Sequence, residues 1–336
     1  MSIWLLLIPV TLLSYMMTAV LRRYAMTRSI LDMPNARSSH STPTPRGGGV
    51  AIVLCFLGLF PLLHAKFGLP GKDALALAGA GSMVALIGFL DDHGHVAARW
   101  RLLTHFVASI WALYWLAGVP PLAFGETTIE FGPAGYALGA VFLVWMLNLY
   151  NFMDGIDGIA SVEAICVCLG GALMYWLSGN VHAATVPLTL AASVCGFLAW
   201  NFPPARIFMG DAGSGFIGMA LALFAVQAGW HQPALFWAWL ILLGVFVVDA
   251  TTTLIRRLLR GEKVYEAHRS HAYQFAARKY GGHLPVTASV AAINLGWLLP
   301  VATAVTLEAI DGFVGLILAY LPLIALALKF RAGTPE

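Results

Sequence analysis

The stretch Asn148-Leu149-Tyr150-Asn151-Phe152-Met153-Asp154-Gly155-Ile156-Asp157-Gly158 joins an apolar run over 133–150 to a second over 158–178. Each run has the length, about 20 residues, that an α-helix needs to cross the hydrocarbon layer of a membrane. Between them sit Asn148, Asn151, Asp154 and Asp157, spaced by threes, with Gly155 and Gly158. Carboxylates at the end of a membrane helix are costly to desolvate and call for partners. A divalent cation and a phosphate would be suitable ones. Three residues fall about 60° short of a helical turn, so on an unbroken helix the first and last polar groups diverge. They converge if the helix stops near Tyr150 and the chain turns at Gly155, where glycine tolerates unusual dihedrals. The plainer alternative is a capped turn between two helices.

The rest of the chain has the same character. Of 336 residues, 60% are hydrophobic and 10% charged, more apolar surface than a soluble fold of this size can hide. The fold class expected is an all-α polytopic membrane protein. The apolar runs are continuous rather than alternating, which excludes a transmembrane barrel. A net charge of +3 gives no footprint for nucleic acid. Cys55, Cys166, Cys168 and Cys195 all fall inside predicted spans. They read as small apolar residues rather than disulfides or a zinc site. The N-terminus lacks a basic n-region and a cleavage site, and reads as a retained first helix.

About eleven spans are expected, near 3–21, 47–65, 73–90, 102–118, 133–150, 158–178, 184–200, 213–230, 234–255, 285–306 and 312–329, forming a single integral membrane domain over 1–336. With the N-terminus periplasmic and the C-terminus cytoplasmic, only Lys66 and Lys72 of the 19 Lys and Arg face outward, as the positive-inside rule requires. Cytoplasmic loops then fall near 22–46, 91–101, 148–158, 200–213 and 256–284. The polar motifs concentrate on that one face. Residues 263–280 read either as an amphipathic surface helix, with Val264, Tyr265, Ala272, Phe275 and Ala276 on its apolar side, or as a solvated basic loop.

Magnesium takes hard oxygen ligands and keeps several waters or phosphate oxygens. Asp211, set between Gly210 and Ala212-Gly213-Ser214-Gly215, suits that role, because the following helix presents free N–H groups to an anion. By itself it could equally be a helix cap. Asn151, Asp154 and Asp157 are further oxygen donors. Asp91 and Asp92 close the third span, where the helix dipole disfavours carboxylates unless a cation is near. Arg37, His40, Arg46, Arg99, Arg101, Arg206, Arg269 and His271 could hold phosphates or touch lipid head groups. Asp249, inside the ninth span, is either a polar packing contact or a support for the site.

Five motifs in order carry a resemblance. They are Asp32-Met-Pro-Asn-Ala-Arg37-Ser-Ser-His40 with Pro45-Arg46-Gly-Gly-Gly, then Gly88-Phe-Leu-Asp91-Asp92, then the 148–158 stretch, then Phe208-Met-Gly-Asp211-Ala-Gly-Ser, and His268-Arg-Ser-His271. The chain resembles, over nearly its whole length, the polyprenyl-phosphate N-acetylhexosamine-1-phosphate transferases, nearest to the O-antigen-initiating members of bacteria. The resemblance implies transfer of a sugar 1-phosphate from a UDP-N-acetylhexosamine of GlcNAc or FucNAc type to undecaprenyl phosphate, with release of UMP. That step would initiate O-antigen, lipopolysaccharide or related envelope glycans at the inner membrane. It implies Mg2+, or Mn2+ in its place, held by Asp211 and Asn151. Asp91, Asp92, Asp154, Asp157 and His271 are implied to be catalytic. Asp32, Arg46, Arg101, Asn148, Phe208 and Arg269 would bind substrate, with Phe208 stacking on uracil. The family also includes homodimers. Where many members cluster histidines, this chain reads His271-Ala-Tyr-Gln, and where several have lysine it has Arg101.

Two chemical routes fit: direct attack by the lipid phosphate, or a covalent aspartyl-phosphate. Rival classes fit less well. A transporter would place its acids near the bilayer midplane, whereas these sit at helix ends. A CDP-alcohol phosphotransferase would need a DG-x-x-AR run with later aspartates, and here Asp154-Gly155 is followed by Ile-Asp-Gly-Ile-Ala.

Overall fold

A computed structural model describes residues 3–34, 42–262 and 268–335. Arg37 and His40 lie outside the described residues, as do Val264 and Tyr265. The chain is a bundle of helices. The first five are α1 (Trp4–Thr27), α2 (Val50–Gly58), α3 (Phe60–Phe67), α4 (Gly71–His93) and α5 (Ala98–Leu116). There follow α6 (Ala134–Met153), α7 (Ile159–Leu177), α8 (Thr185–Asn201), α9 (Asp211–His231) and the bent pair α10 (Pro233–Leu242) and α11 (Gly244–Leu259). The last are α12 (Ala272–Tyr280), α13 (Leu284–Ile293), α14 (Leu299–Thr306) and α15 (Gly312–Lys329).

Among the described residues, eight helices are long and apolar enough to cross a membrane, or nine when α10 and α11, bent by 71°, count as one span. The protein is a multi-pass membrane protein. Two of the eleven expected spans are weaker by these criteria. The one near 102–118 falls on α5, whose first turn carries Arg99 and Arg101, and the one near 184–200 on α8, only 17 residues long. The span near 47–65 is interrupted at Leu59 between α2 and α3. A π-helical turn, Asn294–Leu298, joins α13 to α14.

The centre of the bundle is α9, with 94% of its apolar window buried against 22% for α1. Its sequence explains this position. Gly213, Ser214, Gly215, Gly218 and Ala220 give it a thin surface on which neighbours can close. In a bilayer such close approach supplies the packing energy that the hydrophobic effect does not. The α carbons of Gly49 and Gly213 meet directly, and a Cβ on Gly218 would lie 2.8 Å from the Leu147 α carbon. Helices α4, α6 and α10 pack on the other sides of α9.

Two small hairpins complete the fold. At one end, β1 (Leu31–Asp32) pairs with β2 (Thr44–Pro45). At the other, β3 (Leu122–Phe124) pairs with β4 (Thr127–Ile129) between α5 and α6. Of the 263–280 stretch, Ala272–Tyr280 is helical rather than a loop, with Ala272 and Ala276 buried, and it ends at Gly281 in a left-handed conformation.

Candidate active site

The ends of four helices meet beside β2. Residues 45–49 run alongside 208–209 as a short ladder: the Phe208 N–H donates to the Pro45 carbonyl at 2.8 Å, Gly48 N–H to Phe208 at 3.0 Å and Gly49 N–H to Met209 at 2.8 Å. This ladder brings Arg46 to Asp211. Arg46 Nη2 lies 2.6 Å from Asp211 Oδ1, and its Nε lies 2.7 Å from Asp92 Oδ1. Arg101, in the first turn of α5, repeats the arrangement with one nitrogen, Nη1, at 2.6 Å from Asp91 Oδ2 and 3.2 Å from Asp211 Oδ2. Burial alone would lower the pKa of Arg46, but Asp211, Asp92 and Asp32 more than offset it, so the guanidinium stays charged.

Asp92 has no exposed side-chain surface. It accepts the N–H groups of Asp211 at 3.0 Å and Ala212 at 3.2 Å, capping α9 from α4. Asp91 accepts the Val96 N–H at 2.8 Å, which folds the loop back toward Arg101. Gly88 permits the crossing of α4 and α9: a Cβ there would sit 2.5 Å from the Asp211 carbonyl carbon. Gly88→Ala should therefore cost about 1–3 kcal/mol, the usual penalty of overpacking, read as a lower melting temperature in detergent. An unchanged melting temperature would mean that the two backbones are not this close.

The 148–158 stretch divides its polar groups. The helix runs on to Met153, not Tyr150, because Asn151 and Phe152 continue it, and the residue with positive φ is Gly158 (75°) rather than Gly155. The spacing by threes therefore does not bring all four groups together. Asn151 donates from its amide nitrogen to Asp211 Oδ1 at 3.2 Å and to Ser214 Oγ at 2.8 Å. Asn148 donates to the Val144 carbonyl at 2.7 Å and lies 3.4 Å from His105 Nδ1. Asp154 sits just beyond α6, where burial, then Asp211, pushes its carboxyl up to about 7, with Asp92 and Asp157 adding to the rise. Asp157 turns away to a second group, accepting the Ala205 N–H at 3.0 Å and standing 3.2 Å from His283 Nδ1.

Two cavities flank these residues. One of about 190 Å³ is lined by Arg101, His105, Asn148, Asn151 and Asp211 among apolar residues of α4, α5, α6 and α9. The other, about 580 Å³, is lined by Asp157, Arg269, Gln274, Arg278 and His283. Phe208 is half-buried on the ladder. Asp32, on β1, lies close enough to contribute to the field on Arg46. His271 is not brought to the carboxylate cluster. It is 3% exposed, lies 3.3 Å from Asp249 and caps α12.

Residues 74–229 match the family model described as glycosyl transferase family 4. The chain is 30% identical over 286 residues to an undecaprenyl-phosphate alpha-N-acetylglucosaminyl 1-phosphate transferase of Yersinia pestis, covering 81% of itself and 76% of that relative. The chain belongs to the polyprenyl-phosphate N-acetylhexosamine-1-phosphate transferase family. This transferase-family member is also 29% identical over 262 residues (76% of the chain, 72% of the relative) to a probable undecaprenyl-phosphate N-acetylglucosaminyl 1-phosphate transferase of Bacillus subtilis. Against a phospho-N-acetylmuramoyl-pentapeptide-transferase of Bacillus licheniformis the identity is 26% over 276 residues, covering 77% and 84%.

Among the described residues, no three histidine, cysteine or carboxylate groups are already arranged as a metal cage. The donor set nevertheless suits magnesium. Among the described residues, the guanidiniums paired with Asp91, Asp92 and Asp211 are those of Arg46 and Arg101, and with Asp154 beside them four carboxylates stand against these two cations. Burial first, and then the neighbouring carboxylate of Asp211, raise the carboxyl of Asp154. Magnesium asks for only one or two carboxylates when phosphate oxygens and water complete its shell. His105 and Ser214 were not singled out in the sequence as site residues, and neither was His283. Each looks like an ordinary polar residue on or beside an apolar helix, and only the fold shows which carboxylate or amide it meets.

Proposed function

We propose that this family member transfers an N-acetylhexosamine 1-phosphate from a UDP-sugar of GlcNAc type to undecaprenyl phosphate, releasing UMP, in the inner membrane with its site on the cytoplasmic face. The reading assumes eleven crossings, α5 and α8 included, with the N-terminus periplasmic. One observation carries it: Asp211 at the N-terminus of α9, clamped by Arg46 and Arg101 beside an excess of carboxylates. The names of the relatives supply the acceptor and the sugar. The product would then initiate O-antigen, lipopolysaccharide or a related envelope glycan.

Asp211 and Asn151 would hold magnesium, which when bound would supply charge neutralisation and Lewis-acid polarisation of the diphosphate. Arg46 and Arg101 hold phosphate oxygens. The acceptor phosphate has a second pKa near about 6, so it is largely dianionic at neutral pH and needs no strong base. Asp92 supports this reading, since both its oxygens already accept backbone N–H groups and one also meets Arg46. It orients α9 and Arg46 rather than acting as nucleophile or base, which favours direct transfer over an aspartyl-phosphate. Phe208 stacks on the uracil, and Arg269 approaches the sugar diphosphate from the larger cavity.

The purified protein with undecaprenyl phosphate, Mg2+ and a panel of UDP-sugars should release UMP only when lipid is present, and chelation should abolish release. Release without lipid, or none with any UDP-N-acetylhexosamine, would overturn the reading.

A further inference from the structure

Asp249 is a carboxylate inside a membrane half-helix, and its partners are unusual. Oδ1 accepts the Ala272 N–H at 2.9 Å and lies 3.3 Å from His271 Nδ1, while Oδ2 accepts the Tyr273 N–H at 3.0 Å. Thr253 Oγ1 donates to Oδ1 from one turn further along α11 at 3.2 Å. The side chain is 8% exposed. The first N–H groups of α12, which the helix itself leaves unpaired, thus end on one carboxylate more than twenty residues earlier in the chain. Negative charge is favoured there by the helix dipole as well.

What α12 carries makes this attachment matter. Tyr273 donates its hydroxyl to the Phe152 carbonyl at 3.1 Å, at the open end of α6. The same hydroxyl occupies the space that a Cβ on Gly155 would need. Asp154 lies between these two contacts. On the other side of the anchor, Arg269 and Gln274 line the cavity shared with Asp157. His268 stacks on His271 with ring centroids 4.9 Å apart. Burial, then His271 and Arg257, hold the His268 imidazole down to about 3, so it brings no charge to this junction at neutral pH.

We propose that Asp249 is a positioning residue for the transfer reaction: it docks the N-terminus of α12 on α11, and through Tyr273 fixes the Phe152–Gly155 turn that presents Asp154. The proposal rests on the transferase reading above. Asp249 touches no reacting group. It sets the register between the half-helix α11, the histidine-bearing segment and the carboxylate turn. A carboxylate is required, because an asparagine in its place turns an N–H donor toward one of the two backbone donors.

The test uses the full-length protein in detergent, with wild type, Asp249→Asn, Asp249→Ala and Tyr273→Phe assayed for UMP release with UDP-GlcNAc and undecaprenyl phosphate. Amide hydrogen exchange is followed over 271–276 and 152–156. Asp249→Asn should lower kcat by about 10- to 100-fold, the scale of a misplaced reacting geometry, with KM for the UDP-sugar changed less than threefold. Exchange should quicken in both segments while the melting temperature falls only slightly. Tyr273→Phe keeps the backbone anchor and removes the hydroxyl, and should lower kcat about threefold to tenfold with faster exchange at 152–156 alone. Asp249→Asn with kcat within twofold of wild type overturns the proposal. So does a loss in Asp249→Asn and Asp249→Ala that only tracks the amount of folded protein. A wild type that releases no UMP would fail the transferase reading instead, while the exchange measurements still report whether the anchor exists.

Discussion

Asp211→Asn should abolish transfer, lowering kcat by on the order of 10³-fold, the scale of losing a preorganised charge where charge develops in the reaction. The carboxylate meets Arg46 on one oxygen and Arg101 on the other, and Asn151 donates to it as well. An amide keeps the shape and can still accept one of these bonds, but it cannot balance two guanidiniums or serve as a strong hard ligand for a divalent cation. The protein should remain folded, because Asp92 rather than the Asp211 side chain caps α9. Isothermal titration with Mg2+ in the presence of UDP-GlcNAc should show no saturable cation binding. Activity within tenfold of wild type would remove Asp211 from the centre of the site.

Arg46→Ala is expected to lower kcat/KM by about 10²-fold and also to destabilise. Its two nitrogens bridge Asp92, with no exposed side-chain surface, and Asp211. Removing one member of a fully buried pair costs about 3–5 kcal/mol. Arg46 is 32% exposed, so about 1–3 kcal/mol is the reasonable scale here, seen as a lower melting temperature. Arg46→Lys is the sharper test. A lysine presents one ammonium where the guanidinium presents a fork, so it should recover stability in part and activity by less than tenfold. Full recovery by lysine would mean that positive charge alone is needed and that the two-carboxylate bridge is incidental.

Much of this site was legible because each part stands at the end of an apolar run. Asp91, Asp92, Arg101, Asn151 and Asp211 are polar residues where a membrane helix begins or stops, and such positions invite an explanation. Arg46 beside Gly47-Gly48-Gly49 belongs to the same pattern. What the sequence could not reveal was pairing. Nothing local distinguishes Asp157, which turns to His283, from Asp154, which stays with Asp211. The end of α6 was misplaced by three residues because Asn151 and Phe152 are tolerated in a helix, and the cue used, a glycine, occurs twice nearby. The role of His271 came from the family resemblance alone; in the structure it is 3% exposed and faces Asp249. The 71° bend between α10 and α11 was missed because the apolar run continues through Leu243, and its one cue, Gly244 at the start of α11, sits in a chain rich in glycine. That bend is what gives α11 its own direction and lets Asp249 receive α12.

The ladder between residues 45–49 and 208–209 has a consequence for biogenesis. The ribosome delivers the arginine strand, the paired aspartates of α4 and the first turn of α5 long before it delivers the Phe208–Asp211 loop. Until that loop arrives, Asp92 has no helix to cap and Arg46 lacks Asp211. The early helices must therefore wait in the lipid with charged ends held at the surface, and the centre closes in one late event when α9 threads between α4 and α6. A nascent chain released before Asp211 would be inserted and inert.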